Sequence, residues 1–165
     1  MRGHTIVNDK ILRQHLVKLL DGHEAHADWK QALARLPAKL RGVRPEGSPH
    51  SVWDLIEHLR IAQWDILEFS RHPKHLSPDW PTGYWPAGGK NPSDKEWKSC
   101  LRKFTADAAA MRKLVSSPKT DLTAKIPHGT GQTILREALL LADHNAYHVG
   151  QIILVRRLLG AWPES

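Results

Sequence analysis

The chain has 165 residues, the size of one domain, and we predict a single domain over residues 1–165. Its net charge of +7 permits contact with nucleic acid, but the lysines and arginines are scattered and form no basic arm, so no nucleic-acid partner is expected. One cysteine, an N-terminus without a signal-peptide pattern and no run of about 20 apolar residues predict a soluble, cytoplasmic protein without a membrane partner.

Four segments repeat apolar residues at three- and four-residue steps, which predicts helices with one buried face. They run from about Asn8 to Leu36, from Ser51 until Pro73, from Ser93 until Pro118, and from about Thr133 to Leu159. Ser51 with Asp54, and Ser93 with Glu96, form capping-box patterns at two of the starts. Because no segment alternates with a period of two over strand length, the predicted fold class is all-α, a four-helix bundle.

The connection between the second and third predicted helices is unusually long for a bundle loop. It covers His72 to Pro92 and is rich in proline, glycine and tryptophan. About 20 extended residues reach roughly 60 Å, more than the roughly 37 Å of a 25-residue helix, so this segment can cross the length of the bundle and join two parallel helices. Its aromatic residues either cover a substrate pocket or pin the crossover to the bundle, and pinning is the favoured role; they are Trp80, Tyr84 and Trp85.

Eleven histidines in a chain of this length prompt a search for metal-ligand spacing. In the segment ADHNAYHVGQ, His144 and His148 are four residues apart, which places both rings on one face of the fourth helix. Such a pair can chelate one metal ion. Asn145 stands where a zincin metalloprotease has its general-base glutamate, so that reaction class is excluded. The alternative interpretation is a pair of solvated or hydrogen-bonded core histidines.

A third histidine, His58, lies on or beside the apolar stripe of the second predicted helix, three residues after Leu55. Buried imidazoles in apolar surroundings need a partner, which favours a shared metal ion over separate core histidines. Three neutral imidazoles from two helices leave a fourth coordination position open, as in catalytic zinc sites. The sequence therefore predicts a metal centre at His58, His144 and His148.

Further candidates lie close to these histidines in the sequence. Asp54, one turn before His58, and Gln151, three residues after His148, are candidates to accept the second ring N–H of a ligand. His26, with His23 three residues before it, is a candidate pocket-lining or proton-shuttle residue. The alternative for His26 is a histidine whose hydrogen bonds are satisfied at the edge of the core.

The spans SVWDLIEHLRIAQWDIL and LLLADHNAYHVGQIILVRRLLG resemble the two histidine-bearing helices of the DinB/YfiT-like family of metal-dependent enzymes. The family's single histidine on the second helix and its His-x3-His on the fourth match His58, His144 and His148. The resemblance implies an up-down-down-up bundle, a bound zinc or nickel ion and a homodimer. It also implies relatives that are transferases or isomerases using low-molecular-weight thiols such as bacillithiol or mycothiol.

The leading functional hypothesis is an enzyme whose metal ion activates either a water for hydrolysis or a thiol cosubstrate for transfer to a small molecule. The alternative is a non-catalytic bundle that binds a metal or an apolar ligand in stress response or sensing, because the sequence shows no acid/base residue at the motif. Imidazole suits zinc, nickel, iron and manganese, so the ligand set alone does not identify the ion.

Overall fold

The computed structural model describes residues 7–22 and 24–163, and its regular structure in these ranges is helical. The helices are α1 (Val7–Asp21), α2 (Trp29–Leu33), α3 (Val52–Arg71), α4 (Asp94–Ser116) and α5 (Ile134–Leu158), with short 3-10 turns at 38–40 and 82–84. The predicted all-α bundle is confirmed, whereas the up-down-down-up order and the single domain over 1–165 stay predictions. None of the helices in the described ranges is long and apolar enough to cross a membrane.

The first predicted helix, from Asn8 to Leu36, is wrong as a continuous element. α1 ends at Asp21, and Gly22 then takes the left-handed conformation with φ +72°. A new start follows, in which Asp28 and Gln31 form a capping box, with Gln31 N donating to Asp28 Oδ1 over 2.7 Å. His23 lies outside the described residues.

The other predicted helix starts are confirmed. Ser51 and Asp54 form a reciprocal capping box before α3, Ser93 and Glu96 do the same before α4, and the Thr133 side chain caps α5. These side chains accept hydrogen bonds from N–H groups that have no partner within their own helix. The starts of the helices that carry the histidines are therefore fixed by local sequence.

The core consists of two apolar clusters at successive levels of α3 and α5. One contains Leu55, Leu59 and Ile152, and the other contains Leu67 and Leu141. The segments between these levels, 60–65 on α3 and 142–148 on α5, carry buried polar side chains: Gln63, Asp65 and His148. The bundle thus has a polar layer between two apolar ones, and the predicted ligand histidines lie in or next to this layer.

The irregular segment between α3 and α4 returns along α3 toward its start. Tyr84 contacts α3 at two positions. Its hydroxyl donates to Asp65, and its backbone carbonyl contacts His58, which is closer to the start of the helix. At the start of α4, Asp94 accepts a hydrogen bond from Arg41 Nη1, 2.6 Å away. The crossover thereby brings loop residues against the helix face that carries His58.

Candidate metal centre

The three predicted ligand histidines meet between α3 and α5. One ring nitrogen from each of His58, His144 and His148 lies within 4.8 Å of the other two. The Nε2 atoms of His58 and His144 are 3.0 Å apart. His58 and His148 are only 4% and 7% exposed, while His144 is half-buried. Two separate helices thus place three imidazoles at one buried point.

Hydrogen bonds fix which nitrogen two of the three rings, those of His58 and His148, direct toward the centre. His58 Nδ1 lies 2.8 Å from the backbone oxygen of Tyr84, and His148 Nδ1 lies 2.6 Å from Gln151 Oε1. Both oxygens only accept, so both Nδ1 atoms carry the hydrogen and donate. In the neutral rings Nε2 then keeps its lone pair, the form in which imidazole binds a metal.

The short distance between two of the nitrogens fits either a shared proton or a shared metal ion. His58 Nε2 has a lone pair, and it faces His144 Nε2 at 3.0 Å. Two lone pairs repel at this distance unless a proton or a cation lies between them. Given zinc–nitrogen bonds of about 2.0–2.1 Å, two imidazole nitrogens on one tetrahedral ion lie roughly 3.4 Å apart. The residues present therefore fit a divalent metal with little rearrangement.

The rings are also in the protonation state that metal binding requires. Burial, with the neighbouring His148 and His58 rings, lowers the pKa of His144 to about 4. Burial likewise lowers the pKa of His148 to about 4, although its bond to Gln151 opposes the shift. The pKa of His58 is lowered by burial too. At neutral pH all three imidazoles are uncharged, so no proton has to leave before a metal binds.

An aromatic stack covers one side of the centre. The Trp85 ring lies nearly parallel to His58, with ring centroids 3.9 Å apart, and His50 stacks on the other face of Trp85 at 4.1 Å. Sequence reasoning did not select His50, whose position in a loop before α3 gave no periodic signal. Trp85 was recognised only as a loop aromatic with two possible roles, and its contact with His58 makes it a wall of the site.

Asp65 anchors the crossover next to the centre. Its carboxylate accepts from Tyr84 Oη over 2.6 Å and pairs with His75 Nε2 at 2.7 Å. Burial and the bond to Asp65 raise the pKa of Tyr84 to about 12, so the phenol remains a donor. Because the carbonyl of the same tyrosine orients His58, Asp65 holds the loop segment that fixes a predicted ligand. A lone aspartate in a helix interior gave no sequence signal for this role.

The remaining predicted site residues occupy different positions. Gln151 contacts His148 as described, whereas Asp54 Oδ2 accepts from Ser51 N and from Arg44 Nε, each over 2.9 Å. Within the described residues no hydrogen bond joins Asp54 to a ligand imidazole. His26 is exposed in the loop after α1 and lines a cavity of about 90 Å³ that also contacts α5. The structure thus brings Gln151 to the ligands and leaves Asp54 at the helix cap.

The fold and site together define a helical-bundle protein with a buried three-histidine cluster suited to one metal ion. The family model of the DinB superfamily matches residues 22–152, a range that includes all three histidines, and the chain belongs to that superfamily. The predicted resemblance is therefore confirmed. Comparisons with curated proteins and with solved structures found no match.

Proposed function

We propose that the chain binds one divalent metal ion, zinc or nickel, through His58, His144 and His148. The observation that carries this proposal is the convergence of three ring nitrogens, one from each histidine, within 4.8 Å of one another. Such an arrangement is favourable when a cation shares their lone pairs. Membership of the DinB superfamily supports the same interpretation.

We further propose that the protein is an enzyme acting on a small molecule, either a hydrolase or a transferase or isomerase that uses a low-molecular-weight thiol. Three protein ligands leave one coordination position of the metal ion open for a water or a thiol. A metal ion held by the three histidines would lower the pKa of that water or thiol and act as a Lewis acid. Trp85, on the crossover, stacks on His58 and covers that side of the centre. Asp54 and Asp65 serve as a cap and a loop anchor, so neither is assigned as the base.

Metal analysis of the untagged chain tests the binding proposal. We expect about one metal ion per chain after reconstitution with zinc or nickel, and its loss in His58→Ala and in the double variant His144→Ala/His148→Ala. His72→Ala is the matched control, because this histidine is exposed and lies outside the cluster. Unchanged metal content in the double variant would contradict the ligand assignment.

A non-catalytic metal- or ligand-binding module, for stress response or sensing, is the second candidate. It is favoured by the burial of the centre and by the absence, in residues 7–22 and 24–163, of a carboxylate hydrogen-bonded to a ligand imidazole. A panel of thiol conjugates and esters separates the two candidates. Turnover that requires the metal and disappears in His148→Ala supports the enzyme, whereas tight metal binding without turnover supports the module.

We also propose a homodimer formed through the outer face of α5. Exposed residues on this face recur at helical spacing; they are Leu140, Asp143, Tyr147, Gly150, Leu154, Arg157 and Leu158. If a twofold axis passes at Gly150, Asp143 of one copy faces Arg157 of the other, since both are seven residues from the axis. The charges are then complementary, and the glycine permits close helix approach.

Light scattering coupled to size-exclusion chromatography tests the dimer. Leu154 is 57% exposed, and we expect Leu154→Glu to yield a monomer because it places two carboxylates in the apolar part of the interface. Leu76→Glu is the control, since Leu76 is 86% exposed in the crossover, away from α5. A wild-type monomer at micromolar concentration would contradict the proposal.

A further inference from the structure

Two amide side chains link α4 to the residue next to His144, the third predicted ligand. Gln63, which is 1% exposed, donates from Nε2 to the backbone oxygen of Phe104 over 2.7 Å. Asn145 Nδ2 donates to Gln63 Oε1 over 3.1 Å. A backbone carbonyl only accepts, so the Phe104 oxygen fixes the orientation of Gln63, and Gln63 in turn fixes the orientation of Asn145.

This order of donors leaves one acceptor unused beside the metal centre. Asn145 Oδ1 is buried without a hydrogen-bond partner in good geometry among the described residues, and so is Nδ1 of the adjacent His144. Burial lowers the pKa of His144, and the Asn145 amide opposes that shift, as an oxygen near the ring does. Since buried polar atoms are nearly always paired, an unpaired acceptor and an unpaired ring nitrogen on neighbouring residues are candidates to pair with each other.

We propose that Gln63 and Asn145 are positioning residues that hold His144 in the tautomer with hydrogen on Nδ1, so that Nε2 is available to a metal. This inference rests on the proposed metal binding. It gives each ligand an acceptor for its second ring nitrogen: the Tyr84 carbonyl for His58, Gln151 for His148, and Asn145 for His144. Such acceptors orient the ring and raise its basicity.

In the metal-free chain each tautomer of His144 leaves one conflict. With hydrogen on Nδ1, the Nε2 lone pair of His144 meets that of His58, 3.0 Å away. With hydrogen on Nε2, His144 donates to His58, but its own Nδ1 and the Asn145 oxygen are both buried acceptors without a donor, which is costly. Metal binding removes both conflicts, because the ion takes the Nε2 lone pairs while Nδ1 carries the hydrogen and donates to Asn145 Oδ1. The fixed amide orientation therefore favours the metal-bound form, and its loss should weaken metal affinity.

Zinc competition against a chromophoric chelator measures this effect in the full chain. Asn145→Leu removes the acceptor at similar volume, and we expect roughly 10–100-fold weaker zinc binding, the usual range for such partners. Gln63→Met frees the Asn145 amide to rotate, so we expect a smaller loss. Adding Asn145→Asp to Gln63→Met should restore most of the affinity, because a carboxylate accepts in either orientation. Ser70→Ala is the control, because it removes a buried hydroxyl from α3, the helix that also carries Gln63.

Nitrogen-15 NMR of the zinc-loaded wild-type protein gives a second, independent readout. We expect His144 to be coordinated through Nε2 and to carry a hydrogen on Nδ1. Wild-type zinc affinity in folded Asn145→Leu, failed rescue by Asn145→Asp, or coordination through Nδ1 would each overturn the inference while leaving the three-histidine site intact. If a variant does not fold, the wild-type spectrum decides. A wild-type chain that binds no zinc would overturn the proposed function together with this inference.

Discussion

Burying three imidazoles at one point makes the centre sensitive to protons. His144 and His148 have a pKa of about 4 in the folded chain, against 6.5 for an ordinary histidine. Between these values the unfolded chain binds more protons than the folded one. Without metal, the contribution of these two rings to the free energy of unfolding should therefore be constant above about pH 6.5 and fall as the pH drops toward 4.

Urea unfolding at several pH values, in the presence of a chelator, checks this dependence. We expect the double variant His144→Gln/His148→Gln to have a flatter profile between pH 6.5 and 4, since two groups with lowered pKa are gone. His72→Gln, an exposed histidine, should keep the wild-type profile. Equal slopes in the wild type and the double variant would show that these rings do not titrate as described.

Two residues with similar sequence signals show how far spacing predicts a site. Asp54 and Gln151 each stand three or four positions from a ligand, yet only Gln151 contacts one. The Ser51 N–H, as part of the capping box, and the Arg44 guanidinium both donate to the Asp54 carboxylate and hold it away from His58. Helical spacing places residues on a common face, but the choice among hydrogen-bond partners depends on the tertiary structure.

At the scale of the helix, the two serine caps differ in their surroundings. Ser51 is 1% exposed and caps α3, while Ser93 caps α4 at the surface. We expect Ser51→Ala to cost about 1–2 kcal/mol, and Ser93→Ala about 0.5–1 kcal/mol, because water replaces only the exposed cap. Urea unfolding of both variants measures the difference. Equal costs would mean that burial of the cap does not matter.

The sequence predicted three of the long helices because their signals are local. Ser51, Ser93 and Thr133 each stand at the start of an apolar period, and all three cap the expected helix. The break after α1 was missed because the apolar period continues across Gly22, although Asp28 with Gln31 already matched a capping box. Local sequence signals could not predict that Trp85 and His50 stack beside the centre, since this contact depends on the path of a long loop.

Across the whole molecule, Arg156 joins elements far apart in sequence. It is 1% exposed. Its guanidinium donates to the backbone oxygen of Ala32, within α2, and to that of Ala161, beyond the end of α5, each over 2.6 Å. Burial lowers its pKa, because the charge is removed from water. These carbonyls lose their donor if the side chain is shortened or made apolar. The arginine therefore joins α2 and the segment after α5 to the C-terminal part of α5.

Adjacent arginines provide a matched test of that role. We expect Arg156→Met to lower the free energy of unfolding by about 3 kcal/mol or more, since hydrogen bonds from a charged group contribute roughly 1.5–3 kcal/mol each and the carbonyls are left unpaired. Arg157→Met, at an exposed position, should change it by less than about 0.5 kcal/mol. Urea unfolding of the two proteins at pH 7 gives both values. Similar costs for the two would mean that water replaces the Arg156 hydrogen bonds, and that α2 and the C-terminal segment are held by apolar contacts alone.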